Sequence, residues 1–399
     1  MKINGDATII GGGPIGSSTA ASLAQKGYDV TVVEQKKEIG VPLKCAGLVS
    51  KRVFDLVNID AETVTQNKLY GAYIHSPKGK TVLIKNDKPR AFAIDRVLFD
   101  KSLAEVAKKN GAVYLMNTTL DEIEKGNGFL KTRVKHGNEN TFISSKILIG
   151  ADGARSKVRK MFNLPEPQEM LLGIGAEVEN IDVEPQYVHV FLGKKIAPGF
   201  FAWIIPTEKN KARIGLGSTQ PLPKPVKTLF NDLFNYPTTK NYLQHAVITN
   251  ITAGNIPLGI INETVKDNVM IVGDAAAQVK PISGGGLYTG LLSSKHCSEV
   301  AAEALEENKP TFDTLKKYHE LWTKDIKREI SFGMKIRKRF IHMNDNEIEH
   351  YFTYLEDETI ISIISQYGDI DYPSRLLFPI IKNSPKLLHL LPKMMHLLL

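Results

Sequence analysis

The sequence has few cysteines and no long apolar run. Its 399 residues include two cysteines, Cys45 and Cys297, and no Cys-x-x-C. We therefore expect neither a disulfide framework nor a structural metal site, and we expect a reducing compartment. No uninterrupted apolar stretch approaches the roughly 18 residues that a spanning helix needs, and the N-terminus enters a strand without a signal peptide. These absences predict a cytoplasmic protein that can lie on a membrane but does not cross it.

The composition is that of a soluble globular protein. Apolar residues make up 42% and charged residues 24% of the chain, which are ordinary values, and the length suffices for two or three structural units. A formal net charge of +8 indicates anionic surroundings such as lipid head groups or nucleic acid. Because the basic residues are spread and no nucleic-acid-binding module is readable, we do not expect a nucleic-acid partner.

Residues 7–34 carry a dinucleotide-binding pattern. Gly11, Gly13 and Gly16 follow an apolar strand in G-x-G-x-x-G spacing and open a helix, and a second strand ends on Glu34. Gly11 allows the tight turn, Gly13 the approach of a pyrophosphate, and Gly16 the close packing of helix and strand. The helix N-terminus faces the phosphates, and Glu34 is placed to accept both ribose hydroxyls. The segment predicts a site for an ADP-containing dinucleotide.

Cys45 and Arg96 each allow two interpretations. Cys45 falls on a loop or at the start of a helix near Ser50, and its neighbour Lys44 can favour a thiolate. The alternative is a small buried apolar side chain. Arg96 begins a helix of apolar periodicity, where a cation opposes the helix dipole unless an anion lies nearby. A cofactor phosphate or carbonyl is one candidate partner, and a surface ion pair is the alternative.

Two further segments complete the nucleotide-binding pattern. Asp152 follows the apolar strand 147–149, at the edge where open α/β sheets bind ligands. Asp274 follows strand 269–272 and is placed to bind a polyol such as a ribityl chain. The triple glycine 284–286 lets the backbone approach a flat ring. The N-terminus of the helix that begins near residue 287 would stabilise an anionic reduced flavin there. We expect Cys297, within this helix, to be a core residue.

Together these segments resemble the fingerprints of FAD enzymes similar to para-hydroxybenzoate hydroxylase. Within that group, KCAGLVS at 44–50 and GDAAAQVKPISGGGLYTG at 273–290 look like archaeal geranylgeranyl reductases. The resemblance covers most of residues 1–300. It implies a Rossmann-like FAD-binding α/β domain and a FAD-dependent reductase. Such an enzyme saturates isolated double bonds of geranylgeranyl chains in archaeal membrane lipid precursors, by hydride transfer from reduced flavin. The family places the Cys45 loop beside the flavin, so we expect a catalytic or flavin-tuning role for Cys45. The expected cofactor-binding residues are Gly11, Gly13, Ile15, Gly16, Glu34, Cys45, Ala46, Arg96, Asp152, Asp274, Gly285, Gly286 and Leu287.

Between residues 170 and 252 the pattern changes to strands separated by turns, which predicts an inserted antiparallel β-sheet that forms the substrate domain. On spacing alone, Phe200, Phe201 and Trp203 are interpreted as sheet core. Members of the family carry an aromatic-x-Trp-x-aromatic-Pro element in the lipid pocket, which Phe201, Trp203 and Pro206 resemble. The resemblance therefore implies a substrate-binding role for these three residues, although Phe201 and Ile205 replace the more usual aromatics.

The chain beyond residue 310 is predicted to be helical. Residues 321–343 form an amphipathic, strongly basic stretch, which either packs on the core or faces an anionic lipid surface. The tail 375–399 is apolar and broken by prolines, and we interpret it as membrane-contacting or pocket-lining. The predicted domains are a discontinuous FAD-binding domain (1–68, 90–168 and 255–308), a substrate-binding sheet (69–89 and 169–254) and a helical C-terminal part (309–399).

The expected partners are a prenylated lipid and an external electron donor, which is ferredoxin-like, a deazaflavin or NAD(P)H because no second dinucleotide fold is readable. We expect peripheral association with the cytoplasmic face of the membrane. Two alternative functions stay open. One is a FAD-dependent monooxygenase, a hydroxylase or epoxidase of a lipophilic substrate. The other is a non-catalytic prenyl-lipid carrier, against which the retention of all three cofactor segments argues.

Overall fold

A computed structural model describes residues 2–43 and 45–383 of the protein. The strands are β1 Lys2–Ile10, β2 Val30–Val33, β3 Leu48–Val49, β4 Thr65–Leu69, β5 Gly71–His75, β6 Thr81–Lys85, β7 Ala91–Ile94, β8 Val113–Leu115, β9 Thr118–Lys125, β10 Leu130–His136, β11 Glu139–Gly150, β12 Glu169–Glu179, β13 Tyr187–Leu192, β14 Phe201–Glu208, β15 Lys211–Ser218, β16 Val247–Leu258, β17 Val265–Lys266 and β18 Val269–Ile271. The α-helices are α1 Pro14–Gln25, α2 Ala61–Val64, α3 Arg96–Lys109, α4 Lys157–Met161, α5 Val226–Asp232, α6 Lys240–Leu243, α7 Leu287–Glu306, α8 Phe312–Phe340, α9 Asp345–Phe352, α10 Glu358–Tyr367 and α11 Leu377–Asn383. Short 3₁₀ helices span Lys51–Leu56, Gly273–Ala276, Thr353–Glu356 and Pro373–Leu376.

The first sheet has a parallel centre in the order β18-β11-β1-β2-β8. Its central strands are apolar and buried, as strands covered on both faces must be. On one face α1 packs against α3 and α7. This arrangement brings the carboxyl ends of β1, β11 and β18 to one edge, which is where a doubly wound sheet binds its ligand. The predicted FAD-binding α/β fold is confirmed in this respect.

Strand β11 corrects one expectation. The sequence predicts an apolar strand at 147–149, but the observed strand begins at Glu139 and includes Ser145 and Lys146. The first half of β11 pairs antiparallel with β10, and the second half pairs parallel with β18. One strand therefore links the antiparallel strands β9 and β10 to the ligand-binding edge of the sheet.

The second sheet runs in the order β16-β12-β15-β14-β13-β5-β6. It was expected to be antiparallel, yet β13 and β5 pair in parallel. The reason is the order of the strands along the chain. The hairpin β5–β6 precedes strands β12 to β16 and joins their sheet at the edge strand β13. The predicted domain boundary at residue 254 falls within β16. We retain the three-part division of the chain as a proposal.

The basic C-terminal stretch lies within α8. Leu315, Tyr318, Trp322, Ile326 and Ile330 recur at helical spacing and are at most 1% exposed. They pack into the cluster that contains the α1 and α7 side chains, so the apolar face of α8 is used by the core. Among the described helices none is long and apolar enough to cross a membrane. Most of the predicted apolar tail, from residue 384 onward, lies outside the described residues.

Candidate functional site

A cavity of about 720 Å³ lies between the two sheets and the C-terminal helices. This volume lies within the usual range for small-molecule and cofactor sites. Among the residues predicted from sequence, its lining includes Gly13, Ile15, Cys45, Ala46, Arg96, Phe201, Trp203, Asp274, Gly285, Gly286 and Leu287. Gly11, Gly16, Glu34, Asp152 and Pro206 are not among the lining residues.

The glycines at the start of α1 show why this turn fits a pyrophosphate. A Cβ on Gly16 would lie 1.9 Å from the Gly11 carbonyl oxygen, so the strand and the helix are in contact there. A Cβ on Gly13 would meet nothing within 4 Å, which leaves open space at the helix N-cap. Gly13 provides no side-chain cap, so the first N–H groups of α1 are available to an anion.

Glu34 is held in a fixed orientation behind this turn. Its side chain is buried, and its two carboxylate oxygens accept hydrogen bonds from the backbone N–H groups of Gly12 (2.7 Å) and Lys36 (2.9 Å). Each carboxylate oxygen has a further lone pair. The side chain can therefore accept ribose hydroxyls without giving up the bonds that orient it.

The two aspartates of the later fingerprints differ. Asp152 uses Oδ2 to accept from the backbone N–H groups of Lys157 and Val158 in the first turn of α4, whose N-cap is Ser156, while its buried Oδ1 has no partner among the described residues. Asp274 lines the cavity, and burial raises its pKa to about 6, against the opposing effect of Arg96. A polyol that donates hydrogen bonds to Asp274 would offset this loss of solvation. A Cβ on Gly286 would lie 2.9 Å from Asp274 Oδ1, so this carboxylate sits against the N-terminus of α7.

Four features of the site match the chemical groups of FAD. The open space at Gly13, the uncapped N-terminus of α1, the unpartnered Asp152 oxygen and the buried Asp274 carboxylate all lie along one sheet edge. They match the needs of a dinucleotide with a polyol chain. The residues present therefore fit FAD.

Cys45 lies on an exposed bend before β3. Its sulfur accepts a hydrogen bond from Gly47 N (3.4 Å) and lies within hydrogen-bonding reach of the Arg96 guanidinium. Lys44, the cation that the sequence suggested, lies outside the described residues. Burial acts to lower the pKa of Arg96, but Asp100 and Cys45 raise it overall. Arg96 pairs with Asp100 at 2.9 Å with both side chains buried, so its ion pair is not at the surface.

Arg213 is a site residue that the sequence analysis missed. It projects from β15 and is 5% exposed. Its guanidinium donates to the carbonyl oxygens of Ala46 (3.2 Å) and Ile94 (2.8 Å) and to Gln66 Oε1 (2.6 Å). Gly47 has a φ of +69° and lies directly against this guanidinium. Arg213 thus fixes the backbone of the Cys45 loop, and no local pattern links residues so far apart in sequence.

The aromatic strand β14 presents alternate residues to the cavity. Phe201, Trp203 and Ile205 line it, whereas Pro206 lies on the opposite face and its carbonyl accepts from Asn67. This follows from the two-residue period of a strand. Phe201 and Trp203 are edge-to-face with ring centroids 6.0 Å apart, and Trp203 Nε1 is buried with no partner in the described chain. Phe200 is buried and stacks on Phe201 at 4.2 Å.

A C-terminal segment, residues 368–376, closes one side of the cavity. Asp371, whose side chain is fully buried, pairs with Lys280 (2.7 Å) and Arg52 (3.0 Å). The hydroxyls of Tyr288 and Tyr372 are 2.7 Å apart. Lys280 and Tyr288 flank the triple glycine, so this segment is fastened to the loop that would face a flavin. No local sequence pattern predicts these long-range contacts.

Known proteins resemble this chain over most of its length. The FAD binding domain family matches residues 4–321. The chain is 35% identical to an uncharacterized protein of Methanocaldococcus jannaschii over 95% of both chains. It is 30% identical to digeranylgeranylglycerophospholipid reductase 2 of Methanococcoides burtonii over 91% of both. A geranylgeranyl bacteriochlorophyll reductase-like protein from Thermoplasma acidophilum, 24% identical, has the same fold with a TM-score of 0.87 over 99% of this chain and 100% of that one.

These matches confirm the predicted FAD cofactor and the assignment as a FAD-dependent oxidoreductase. They also agree with the family resemblance that the three fingerprints indicated. The chain belongs to the FAD binding domain family and, within it, to the digeranylgeranylglycerophospholipid reductases.

Proposed function

We propose that this protein saturates isolated double bonds of geranylgeranyl chains in membrane lipid precursors. The observation that carries the proposal is the continuity of one cavity, which joins the glycine loops and Cys45 to an apolar section. That section is built from side chains of the second sheet, of strand β4 and of the C-terminal helices. Its lining includes Leu69, Ile74, Ile84, Val188, Val190, Leu192, Phe201, Trp203, Ile205, Ile336, Phe340, Ile364 and Leu376. An unbranched polar substrate would gain nothing from such a lining, whereas a prenyl chain would bury its whole length.

FAD, when bound and reduced, would supply a hydride to one carbon of the alkene, and the other carbon would take up a proton. The glycine turn at Gly13 and the N-terminus of α7 at Gly286 would hold its phosphates and its ring. An isolated alkene has no carbonyl to polarise, so the protein must stabilise positive charge that develops on carbon and must exclude water. The ring electrons of Trp203 and Phe201 can provide this stabilisation. The apolar side chains around them keep water from the reacting carbon.

We propose a catalytic or flavin-tuning role for Cys45. Its thiol lies on the same cavity as the triple glycine, and Gly47 and Arg96 orient it. The proposed cofactor contacts also include Gly11, Gly16, Glu34 and Asp152, which support the turn and the edge of the sheet without lining the cavity. Phe201 and Trp203 are the proposed substrate contacts.

We further propose an external electron donor and peripheral association with the cytoplasmic face of the membrane. The predicted substrate resides in a lipid bilayer, and basic side chains on the outer face of α8 are exposed. Such side chains are attracted to anionic head groups. A ferredoxin-like protein, a deazaflavin and NAD(P)H remain the candidate donors.

The test is anaerobic reduction of the purified protein, followed by addition of a geranylgeranyl lipid and mass spectrometry. We expect a mass gain of two per reduced double bond. Trp203→Leu should lower the turnover at least about tenfold by removing the cation-stabilising ring. Phe129→Leu, a change at an exposed site outside the cavity, serves as the matched control. An unchanged lipid while the flavin stays reduced would contradict the proposal, and oxygen uptake coupled to an oxygenated product would favour the monooxygenase.

A further inference from the structure

The basic side chains that line the cavity fall into two groups. The lining cations are Lys36, Lys85, Arg90, Arg96, Arg213, Lys280 and Arg337. Four of them have carboxylate partners. The pairs are Arg96–Asp100, Arg213–Glu177, Lys280–Asp371 and Arg337–Glu169. Lys36 is set apart from both groups. It lies beside Glu34, and its backbone N–H donates to that carboxylate.

Lys85 and Arg90 form the second group, which has no carboxylate partner in ranges 2–43 and 45–383. Lys85 ends β6, and its exposed ammonium makes no hydrogen bond or ion pair with the described chain. Arg90 Nη2 donates to the carbonyl oxygens of Ser365 (2.9 Å) and Gln366 (3.1 Å). Their positive charges are therefore not neutralised by the protein.

These two cations lie at one place on the cavity rim. Asn86, which follows Lys85, donates from Nδ2 to the same Ser365 carbonyl that Arg90 contacts. The rim is thus formed by the turn 85–90 and the last turn of α10. The C-terminal end of a helix carries a negative partial charge. Asn86 and Arg90 donate hydrogen bonds to carbonyls of this last turn. Asp87, which is exposed in the turn 85–90, forms no ion pair with Lys85 or Arg90 in the described structure.

The lining changes from apolar to cationic on one side of this rim and from apolar to polar on the other, in each case within one residue. Ile84 immediately precedes Lys85, and Ile364 immediately precedes Ser365, and all four residues line the cavity. A ligand that follows this lining must be apolar along most of its length and polar at its end. An anion at that end would meet two cations that have no other acidic partner.

We propose that the rim formed by Lys85, Asn86 and Arg90 binds the phosphate of an anionic lipid head group whose chain lies in the cavity. This inference rests on the proposed function for the chain and adds the part of the substrate that sets its orientation. A lysine ammonium serves as a point charge for phosphate, and Arg90 keeps N–H groups that are not used by the carbonyls. The head group would thus anchor the lipid at a fixed distance from the reacting double bond.

Lys85 offers a clean test because its side chain has no hydrogen bond or ion pair to lose within the described fold. We would compare Lys85→Gln, Lys85→Glu and wild type on two substrates with the same geranylgeranyl chain, one a glycerol phosphate ether and one the neutral alcohol. An ion pair near the surface is worth a few-fold in affinity. We expect Lys85→Glu to raise the KM for the phosphate ether about tenfold and Lys85→Gln about threefold. The KM for the neutral alcohol should change less than about twofold, because no charge is involved. Lys209→Glu, at an exposed turn far from the cavity, is the matched control.

Three further readouts decide the outcome. Arg90→Gln should raise the same KM, and a thermal melt shows whether the fold survives the loss of the α10 contacts. Inorganic phosphate is added as a competitor to separate binding of the lipid head group from binding of free phosphate. If the rim binds the head group, Lys85→Glu should weaken the preference for the phosphate ether over the neutral alcohol, whether or not free phosphate competes. Equal KM shifts for both substrates, or shifts for neither, would overturn the head-group site. Loss of phosphate inhibition alone, with lipid KM unchanged, would assign the rim to free phosphate and also overturn it. If wild type reduces neither substrate, the proposed function itself fails.

Discussion

Gly47→Ala would test how the Cys45 loop is held. Gly47 adopts a φ of +69°, in the left-handed region that disfavours side chains. A Cβ there would lie 2.3 Å from Arg213 Nη1, 2.9 Å from the Ile94 carbonyl oxygen and 3.2 Å from Arg96 Cγ. The new methyl group therefore adds backbone strain and forces the Arg213 guanidinium away from its carbonyl partners.

The magnitude follows from these two effects. A non-glycine residue in the left-handed region costs about 1–3 kcal/mol. Displacing the Arg213 guanidinium weakens its bonds to Ile94 and Ala46, and hydrogen bonds to charged groups contribute about 1.5–3 kcal/mol each. We expect Gly47→Ala to lower the free energy of unfolding by about 3–6 kcal/mol. That is a large fraction of the total stability of a typical protein.

The assay is a double-mutant cycle with Arg213→Met, which removes the guanidinium but keeps much of the side-chain stem. In the Arg213→Met background the methyl group of Gly47→Ala no longer meets Nη1. The cost of the change should fall to the backbone strain of about 1–3 kcal/mol plus the remaining close contact with the Ile94 carbonyl oxygen. Denaturant unfolding of all four proteins gives a coupling energy, which we expect to exceed about 1 kcal/mol.

Two results would refute the reasoning. Additivity within about 0.5 kcal/mol would mean that the methyl group and the guanidinium do not compete for the same space. A cost below about 1 kcal/mol for Gly47→Ala alone would mean that the loop has room to move. In either case Arg213 would not fix the Cys45 loop.

Three other predictions concern the turn, a histidine pair and the C-terminal segment. Gly16→Ala should give a destabilised protein without the ~450 nm flavin absorbance, because its Cβ would lie 1.9 Å from a carbonyl oxygen. Gly13→Ala should keep its fold and lose only FAD. The imidazoles of His75 and His189 are 3.0 Å apart, and burial lowers the pKa of His75 to about 3 and that of His189 to about 4. A histidine in the unfolded chain has a pKa of about 6.5. Below that pH the two histidines take up protons only when the protein unfolds, so the free energy of unfolding is full above pH 6.5 and decreases as the pH falls toward 4. Denaturant unfolding between pH 7 and 4.5 should show the decline, with a smaller slope in a variant that has Gln at both positions. Asp371→Asn should speed hydrogen exchange of residues 368–376, because a buried pair that loses one partner costs about 3–5 kcal/mol.

Each of these predictions has a matched comparison. Normal flavin content in Gly16→Ala would contradict the close contact of strand and helix. A slope that the His-to-Gln changes leave intact would assign the acid sensitivity to other groups. Asp313→Asn, which removes an exposed pair with Lys316, should leave exchange unchanged, since surface pairs contribute about 0–1 kcal/mol. If Asp371→Asn behaves like this control, the segment is held by other contacts.

The cofactor side of the site could be predicted because its parts are contiguous. The turn between β1 and α1, the acid after β2 and the aspartate after β18 each follow directly from a strand that ends at the same sheet edge. Their chemistry is encoded within a few residues, so no tertiary information is needed. The β14 lining was also within reach, because the two-residue period selects Ile205 and excludes Pro206 from the face that carries Trp203.

The residues that hold these parts in place could not be predicted in the same way. Arg213 reaches the carbonyl of Ala46 across 167 positions, and Asp371 reaches Lys280 across 91. An arginine in a strand and an aspartate in a loop have no local pattern that names a distant partner. The parallel pairing of β13 with β5 has the same cause, since the chain returns to the hairpin only after it has formed strands β8 to β11 of the first sheet.

The α8 helix shows how burial narrows a choice that the sequence left open. Its amphipathic pattern suited both core packing and a lipid surface, but its apolar face lies against the core. Arg337, counted as part of the basic face, is buried and paired with Glu169. The remaining basic side chains, Lys324, Lys327, Arg328, Lys335, Lys338 and Arg339, are exposed. Contact of these basic side chains with a membrane would be electrostatic, and salt screens such contacts beyond about 8 Å at physiological ionic strength. Apolar insertion would have to come from another part of the chain.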